Sequence, residues 1–139
     1  MSGGARRLVV NVDGGARGNP GPAAVAAVVS TPDGVVLAER GEAIGSATNN
    51  VAEYRALLFG LELARELGAE EVELIGDSEL VVRQVNGEYR VKDAGLRPLY
   101  DEVKSALAEL GRWSIRHVRR ERNAEADRLV NETLDRLGA

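Results

Sequence analysis

Apolar positions along this chain follow two periods. From Leu8 to Val12 they run almost unbroken, the mark of a buried strand, and the run closes at Asp13. After the glycine-rich stretch DGGARGNPGP, a second run of strand length, AAVAAVVS, leads to the turn signal Thr31-Pro32-Asp33-Gly34 and a third strand from about Val35 to Ala43. Three strands joined by short turns predict an antiparallel meander. From Asn50 the period changes: Tyr54, Leu57, Leu58, Leu61 and Ala64 recur at helical spacing until Gly68 stops the helix, and Glu71 to Ile75 supplies a fourth strand. A crossover helix between strands requires the fourth strand to pair in parallel with an earlier one. A short helix follows, roughly Ser78 to Val85, then the polar break NGEYRVKDAG. A second helix carries Leu96, Leu99, Tyr100, Val103 and Leu107 on one face. A fifth strand from about Trp113 to Val118 and a last helix with Ala126, Leu129, Val130, Thr133 and Leu137 complete the chain. The expected fold is α/β: a five-stranded mixed sheet in the order βββαβααβα, three antiparallel strands then parallel additions, with helices on its faces. The apolar stripes, Trp113 included, read as core.

The length, 139 residues, and the 44% of apolar residues suit one domain over 1–139, and no linker, repeat or low-complexity run divides it. Cysteine is absent, which rules out a disulfide scaffold or a thiolate metal site and suits a reducing compartment. The start, MSGGARR, is followed by the apolar run LVV, far too short for a signal peptide or a membrane span. A soluble, cytoplasmic monomer without membrane attachment is expected.

A net charge of −4 does not suggest a nucleic-acid binder, but the average hides an asymmetry. Arg112, Arg116, Arg119, Arg120 and Arg122 crowd one stretch against the single acid Glu121. A solvated strand and loop is the plainer explanation. Beside an acidic metal pocket, though, a basic edge is what a phosphodiester substrate needs.

Four acids suggest that pocket. Asp13 and Asp77 each close a strand-like run, while Glu53 and Asp127 lie near the starts of strongly periodic helices. Each has a local explanation: Asp13 as a turn residue before Gly14-Gly15, Glu53 completing a capping box three residues after Asn50, Asp77 as a cap, Asp127 favouring a helix dipole. A fold that joins these strand ends and helix starts brings four negative charges together, which is costly unless a divalent cation sits among them. This pattern points to a metal-dependent nuclease. The glycine-rich stretch is not a nucleotide-cofactor loop, because Pro20, Pro22 and a strand follow it where a helix would be needed.

The stretches DGGARGNPGP, TNNVAEYRAL, the Asp77-Ser78 pair and NAEADRLVN, in this order and over nearly the whole chain, resemble the type 1 ribonuclease H family. The resemblance implies hydrolysis of the RNA strand of an RNA–DNA hybrid, leaving a 5′-phosphate and a 3′-hydroxyl. It places the four metal-binding acids on Asp13, Glu53, Asp77 and Asp127. Two divalent ions roughly 4 Å apart would activate water and stabilise the leaving oxygen. All-oxygen acidic ligands suit Mg²⁺ or Mn²⁺. Asp13 and Asp77 would share the ions, with Glu53 and Asp127 each completing one shell. Contacts to 2′-hydroxyls in the minor groove are implied for Gly14, Gly15, Asn19, Asn49, Asn50, Glu53 and Ser78, and Thr48 matches a phosphate-binding position. Capping is the structural alternative for Asn49 and Asn50 and occupies only one of them; Asn50 can serve both purposes.

The chain departs from the family pattern in three places. VRQVNGEYRVKDAGL joins two helices directly where larger members insert a basic, tryptophan-containing protrusion. The loop before the last acid is short and lacks a clear match to the usual histidine. His117 reads as the end of the fifth strand, so Arg120 is expected to take over part of that role, with Arg119 as its rival. In the pocket that grips a DNA-strand phosphate, Ser46 stands where arginine is common and Asp93 falls near an expected asparagine. These departures imply weak, salt-sensitive binding and some cleavage of double-stranded RNA. Two other readings stand beside the nuclease: a module that binds hybrid or double-stranded RNA without cutting it, and a nuclease domain of a longer fusion protein.

Overall fold

β1 (Arg7–Ala16) is the middle strand of a five-stranded sheet of order β3-β2-β1-β4-β5. The structure is a computed structural model that describes residues 6–139; the first five residues of MSGGARR lie outside the described residues. β2 (Gly21–Ser30) pairs antiparallel with β1 and with β3 (Val36–Ala47), giving the expected meander. β4 (Glu71–Gly76) runs parallel to β1, and β5 (Arg112–His117) runs parallel to β4. The helices are α1 (Asn49–Glu66), α2 (Glu79–Val85), α3 (Arg97–Ala108) and α4 (Ala124–Arg136), with a 3-10 turn at Arg120–Arg122 before the last.

The larger core packs α1, α2 and α3 on one face of the sheet. Leu8, Val10 and Val12 alternate inward from β1 to meet Tyr54, Leu57, Leu61 and Ala64 of α1. On the other face α4 lays Leu129, Val130 and Leu134 on Ala24, Ala26 and Val28 of β2. The near-continuous apolar run of β2 is thus explained: the strand is covered on both faces. No helix among the described residues is long and apolar enough to cross a membrane.

Several boundaries differ from the sequence reading, each for a physical reason. β1 does not end at Val12. It continues through Asp13, Gly14 and Gly15 to Ala16, paired with Ala26, Val25, Ala24 and Ala23 of β2. The glycine pair is strand, and what demands glycine at Gly14 is α1: a Cβ there would lie 2.2 Å from the Ala52 carbonyl oxygen. β3 runs on to Ala47, with a bulge opposite Ala23 and Ala24. α1 is capped by Thr48, whose hydroxyl accepts from the Val51 N–H at 3.2 Å, so neither Asn49 nor Asn50 is the cap. Ser78, not Asp77, caps α2. Leu137 ends α4 at 57% exposure, and Leu134 takes the buried place expected for it, being the i+4 neighbour of Val130.

Candidate active site

Parallel pairing sets Asn11 of β1 beside Ile75 near the end of β4, so Asp13, two residues further along β1, and Asp77, just after β4, meet. Close approach of α1 at Gly14 adds Glu53. The Gly14 N–H donates to Glu53 Oε1 at 2.7 Å, which ties the helix carboxylate to the strand that carries Asp13. Carboxylate oxygens of Asp13, Glu53 and Asp77 all lie within 4.8 Å of one another. Asp127 stands outside this tight group but lines the same cleft, of about 420 Å³, and Arg120 Nη1 approaches its Oδ1 at 3.9 Å.

Burial and mutual repulsion dominate the electrostatics. Asp13 is only 4% exposed, and its carboxyl is pushed up to about 7, first by burial and next by the charge of Asp77. Glu53 is also raised well above the ordinary carboxylate range, again by burial first and then by Asp13. Compressed oxygen ligands that resist ionising together are the donor set a hard divalent cation fits, because its charge removes both penalties.

A residue that the sequence reading passed over fastens the cleft from behind. Asn123, 2% exposed, donates through Nδ2 to the Val12 carbonyl at 2.8 Å and to Asp77 Oδ2 at 3.2 Å, while its Oδ1 accepts from Asn11 Nδ2 at 3.1 Å. Its carbonyl takes the Asp127 N–H at 3.1 Å and its own N–H donates to the Arg120 carbonyl at 2.9 Å. One buried amide therefore contacts β1, the loop after β4, the 3-10 turn and α4. Just before a helix an asparagine looks like a cap, yet this one makes no capping bond. The signal that distinguishes it, full burial, is absent from a single sequence.

The other expected site residues divide. Gly14, Gly15, Asn49, Asn50 and Ser78 line the cleft; Asn19 and Thr48 do not. Asn19 Oδ1 accepts the Asn49 N–H at 3.0 Å, and Asn49 Oδ1 accepts the Ala16 N–H at 2.9 Å, so these asparagines lock the β1–β2 turn to the start of α1. Arg120 lines the cleft, whereas Arg119 does not and His117 ends β5 paired with Gly76. A larger groove of about 1040 Å³ runs along α1 between β3 and α3 over Ile44, Val51, Leu58 and Phe59. It holds none of the clustered acids, so chemistry and not volume marks the site.

A family model described as reverse transcriptase-like matches residues 11–133. The chain is 48% identical over 129 residues to a protein named ribonuclease HI from Halobacterium salinarum, covering 93% of this chain and 65% of that one. The crystal structure of RNase H1 from that archaeon superposes with a TM-score of 0.91 at 46% identity, covering 93% of this chain and 98% of the other. This chain belongs to the type 1 ribonuclease H family. Among its ribonuclease H relatives is the Bifunctional protein Rv2228c of Mycobacterium tuberculosis, 48% identical over 93% of this chain. The chain spans only 36% of that relative's length. LC11-RNase H1, solved in complex with RNA/DNA hybrid, superposes with a TM-score of 0.90 at 41% identity over 95% of this chain and 99% of that one. Within the ribonuclease H fold the carboxylate cluster occupies the strand ends, and its ligand chemistry fits a divalent metal.

Proposed function

We propose that this chain is an endonuclease that hydrolyses the RNA strand of RNA–DNA hybrids, using two Mg²⁺ or Mn²⁺ ions. The observation that carries the proposal is the set of three carboxylates within 4.8 Å, one of them 4% exposed, in a family with a member solved on a hybrid. Bound ions would supply the activated water and the charge that stabilises the leaving 3′-oxygen. Asp13, Glu53 and Asp77 would hold the ions between them, and Asp127, on the same cleft but outside the tight group, would complete the outer subsite. Gly14, Gly15, Asn49, Asn50 and Ser78 face the duplex from the cleft wall and select for 2′-hydroxyls, with Asn19 and Thr48 fixing their backbone. The products carry a 5′-phosphate and a 3′-hydroxyl. Residues 1–139 act as a single domain, cytoplasmic and monomeric. Gel analysis of an end-labelled hybrid tests the proposal: cleavage with Mg²⁺ or Mn²⁺ and none in chelator is expected, and cleavage that persists in chelator refutes it.

Arg120 stands where a mobile cation can serve the scissile phosphate. Its side chain is 71% exposed and its contact with Asp127 is long, so the guanidinium is free to swing onto a bound phosphate. It stays protonated and therefore acts as a charge, not as a base. Arg120→Ala is expected to lower kcat by about tenfold or more while KM changes less, as for a group engaged chiefly in the transition state. An unchanged kcat with a raised KM would reduce Arg120 to a backbone contact.

Discrimination against an RNA partner strand is expected to be poor. Ser46 sits on β3 opposite Pro22, and the Asp93 carboxylate is occupied by the Gly95 N–H at 2.7 Å, in the turn that leads into α3. Neither supplies a cation or a free amide to a DNA phosphate, and the acid repels one. Double-stranded RNA is expected to be cut measurably, though more slowly than hybrid. Ser46→Arg with Asp93→Asn should raise the hybrid preference by roughly tenfold, the worth of one charge-assisted contact. The ratio of kcat/KM on matched duplexes decides; a ratio unmoved by the double substitution rejects this account.

A further inference from the structure

α4 carries Asp127, the one acid outside the tight cluster, and its seat is smooth. Leu129, Val130 and Leu134 rest on Ala24, Ala26 and Val28, and a floor of small side chains offers few ridges to stop a helix sliding along its axis. Gly41 brings the helix closer still, since a Cβ there would lie 2.6 Å from Thr133 Oγ1.

Asn123 anchors the start of the helix to β1 and Arg128 Nη2 lies 3.4 Å from Glu39 Oε1 of β3; toward the C-terminal half, lengthwise restraint comes from the β1–β2 turn. The Arg17 guanidinium lies 2.7 Å from Asp135 Oδ1, donates to Asn131 Oδ1 at 3.3 Å and to the Asn131 carbonyl at 3.4 Å, and also reaches the main-chain oxygen of Ala139. Asn131 in turn donates through Nδ2 to the Asp127 carbonyl at 3.1 Å. The same turn holds α1 through the Ala16–Asn49 and Asn19–Asn49 hydrogen bonds. Both helices that bring acids to the strand ends are thus tied to one short segment, α4 by a single side chain whose planar fork meets several acceptors at once.

We propose that Arg17 is a positioning residue, a latch that fixes α4 along its axis through Asp135 and Asn131 and so sets how far Asp127 stands from Asp13, Glu53 and Asp77. The proposal rests on the metal-nuclease reading above. It makes Arg17 a determinant of affinity at the outer ion subsite, whereas an ordinary surface ion pair would affect stability alone.

The test is a Mn²⁺ titration of the full chain and of Arg17→Met, Arg17→Lys, Asp135→Asn and Asp127→Asn. Free ion is followed by electron paramagnetic resonance in the presence of hybrid, with folding checked by circular dichroism. The tighter class of sites is expected to be unchanged by the Arg17 and Asp135 variants. The weaker class should lose about tenfold in affinity in Arg17→Met, the usual effect of removing a supporting partner, and less in Arg17→Lys. Asp127→Asn should remove that class. The Mn²⁺ concentration for half-maximal kcat should rise with the same factor while KM for hybrid holds. A folded Arg17→Met that binds Mn²⁺ like the wild type, or that changes only KM, overturns the latch. If Arg17→Met does not fold, Asp135→Asn, which keeps the Asn131 contacts, carries the same comparison with the same outcomes. If even the wild type leaves hybrid uncut while the weaker class still responds to the Arg17 variants, the nuclease reading falls and the latch stands.

Discussion

Asp13→Asn is expected to abolish hybrid cleavage in Mg²⁺ while leaving the metal-free protein at least as stable as the wild type. Asp13 is 4% exposed and its carboxyl is pushed up to about 7 by burial and by Asp77. The folded state therefore holds this proton more tightly than the unfolded chain does, and the resulting stability is lost as pH rises through about 7. At pH 8 in chelator the wild type carries that burden and the neutral amide does not. With Mg²⁺ the order reverses: ligand binding stabilises the wild type by about 2.7 kcal/mol at a hundred times the dissociation constant, and the mutant gains little. Turnover should fall by roughly a thousandfold or more, about 4 kcal/mol of transition-state stabilisation. Thermal melts at pH 8 with Mg²⁺ and with chelator, beside single-turnover assays, give both numbers. Normal turnover by the mutant would remove Asp13 from the metal site.

Gly14→Ala is expected to damage both stability and activity without touching a charge. A Cβ at this position would sit 2.2 Å from the Ala52 carbonyl oxygen and 2.9 Å from the Glu53 amide nitrogen, both main-chain atoms, so no side-chain rotation relieves the overlap. α1 has to move off β1, which stretches the bond between the Gly14 N–H and Glu53 Oε1 and pulls Glu53 away from Asp13 and Asp77. Overpacking of this kind costs about 3 kcal/mol. A displacement near 1 Å at a reacting centre costs about a hundredfold in rate. Gly15→Ala is the control, since its nearest neighbour there would be Val130 Cγ1 at an ordinary 3.7 Å. Urea denaturation of both variants and kcat of Gly14→Ala are the measurements, and equal stability of the two variants would contradict the close-approach explanation.

Much of this molecule was legible because its periodicities are strong and its covered faces are simple. The alternating and continuous runs of β1, β2 and β4 and the stripe of α1 lead directly to the mixed sheet. Asp13, Glu53 and Asp77 were readable as a group from the runs that lead into β1, β4 and α1, and their oxygens lie within 4.8 Å of one another, whereas Asp127 stands outside that group. What escaped depends on distance in space. Gly14-Gly15 looks like a turn until the helix that leaves no room for a Gly14 side chain is packed beside it. Asn49 and Asn50 were the expected caps of α1, but Asn49 is held by Ala16 and Asn19 of the β1–β2 turn and Thr48 caps the helix instead. The side chains of Asn123 and Arg17 bond to partners far along the chain, and local pattern carries no trace of that. Leu137 followed the helical period but lies one turn past the last support that β2 offers.

The placement of Asn123 also bears on the order in which the molecule assembles. Its bonds to Asn11 and Val12 span 112 and 111 residues, and Arg17 reaches Asn131 across 114. The three strands of the meander, by contrast, are neighbours in sequence. Distant contacts carry a loop-closure cost that hairpins escape. The expectation is a two-step refolding in which amides of β1, β2 and β3 gain protection first and the main-chain N–H of Asp127, which depends on the docking of α4, gains it last. Pulse-labelled hydrogen exchange resolves the two, and simultaneous protection would refute the order. A chain caught between the steps has its meander but no closed cleft, so the proposed power to cut nucleic acid would arrive only with the final act of folding.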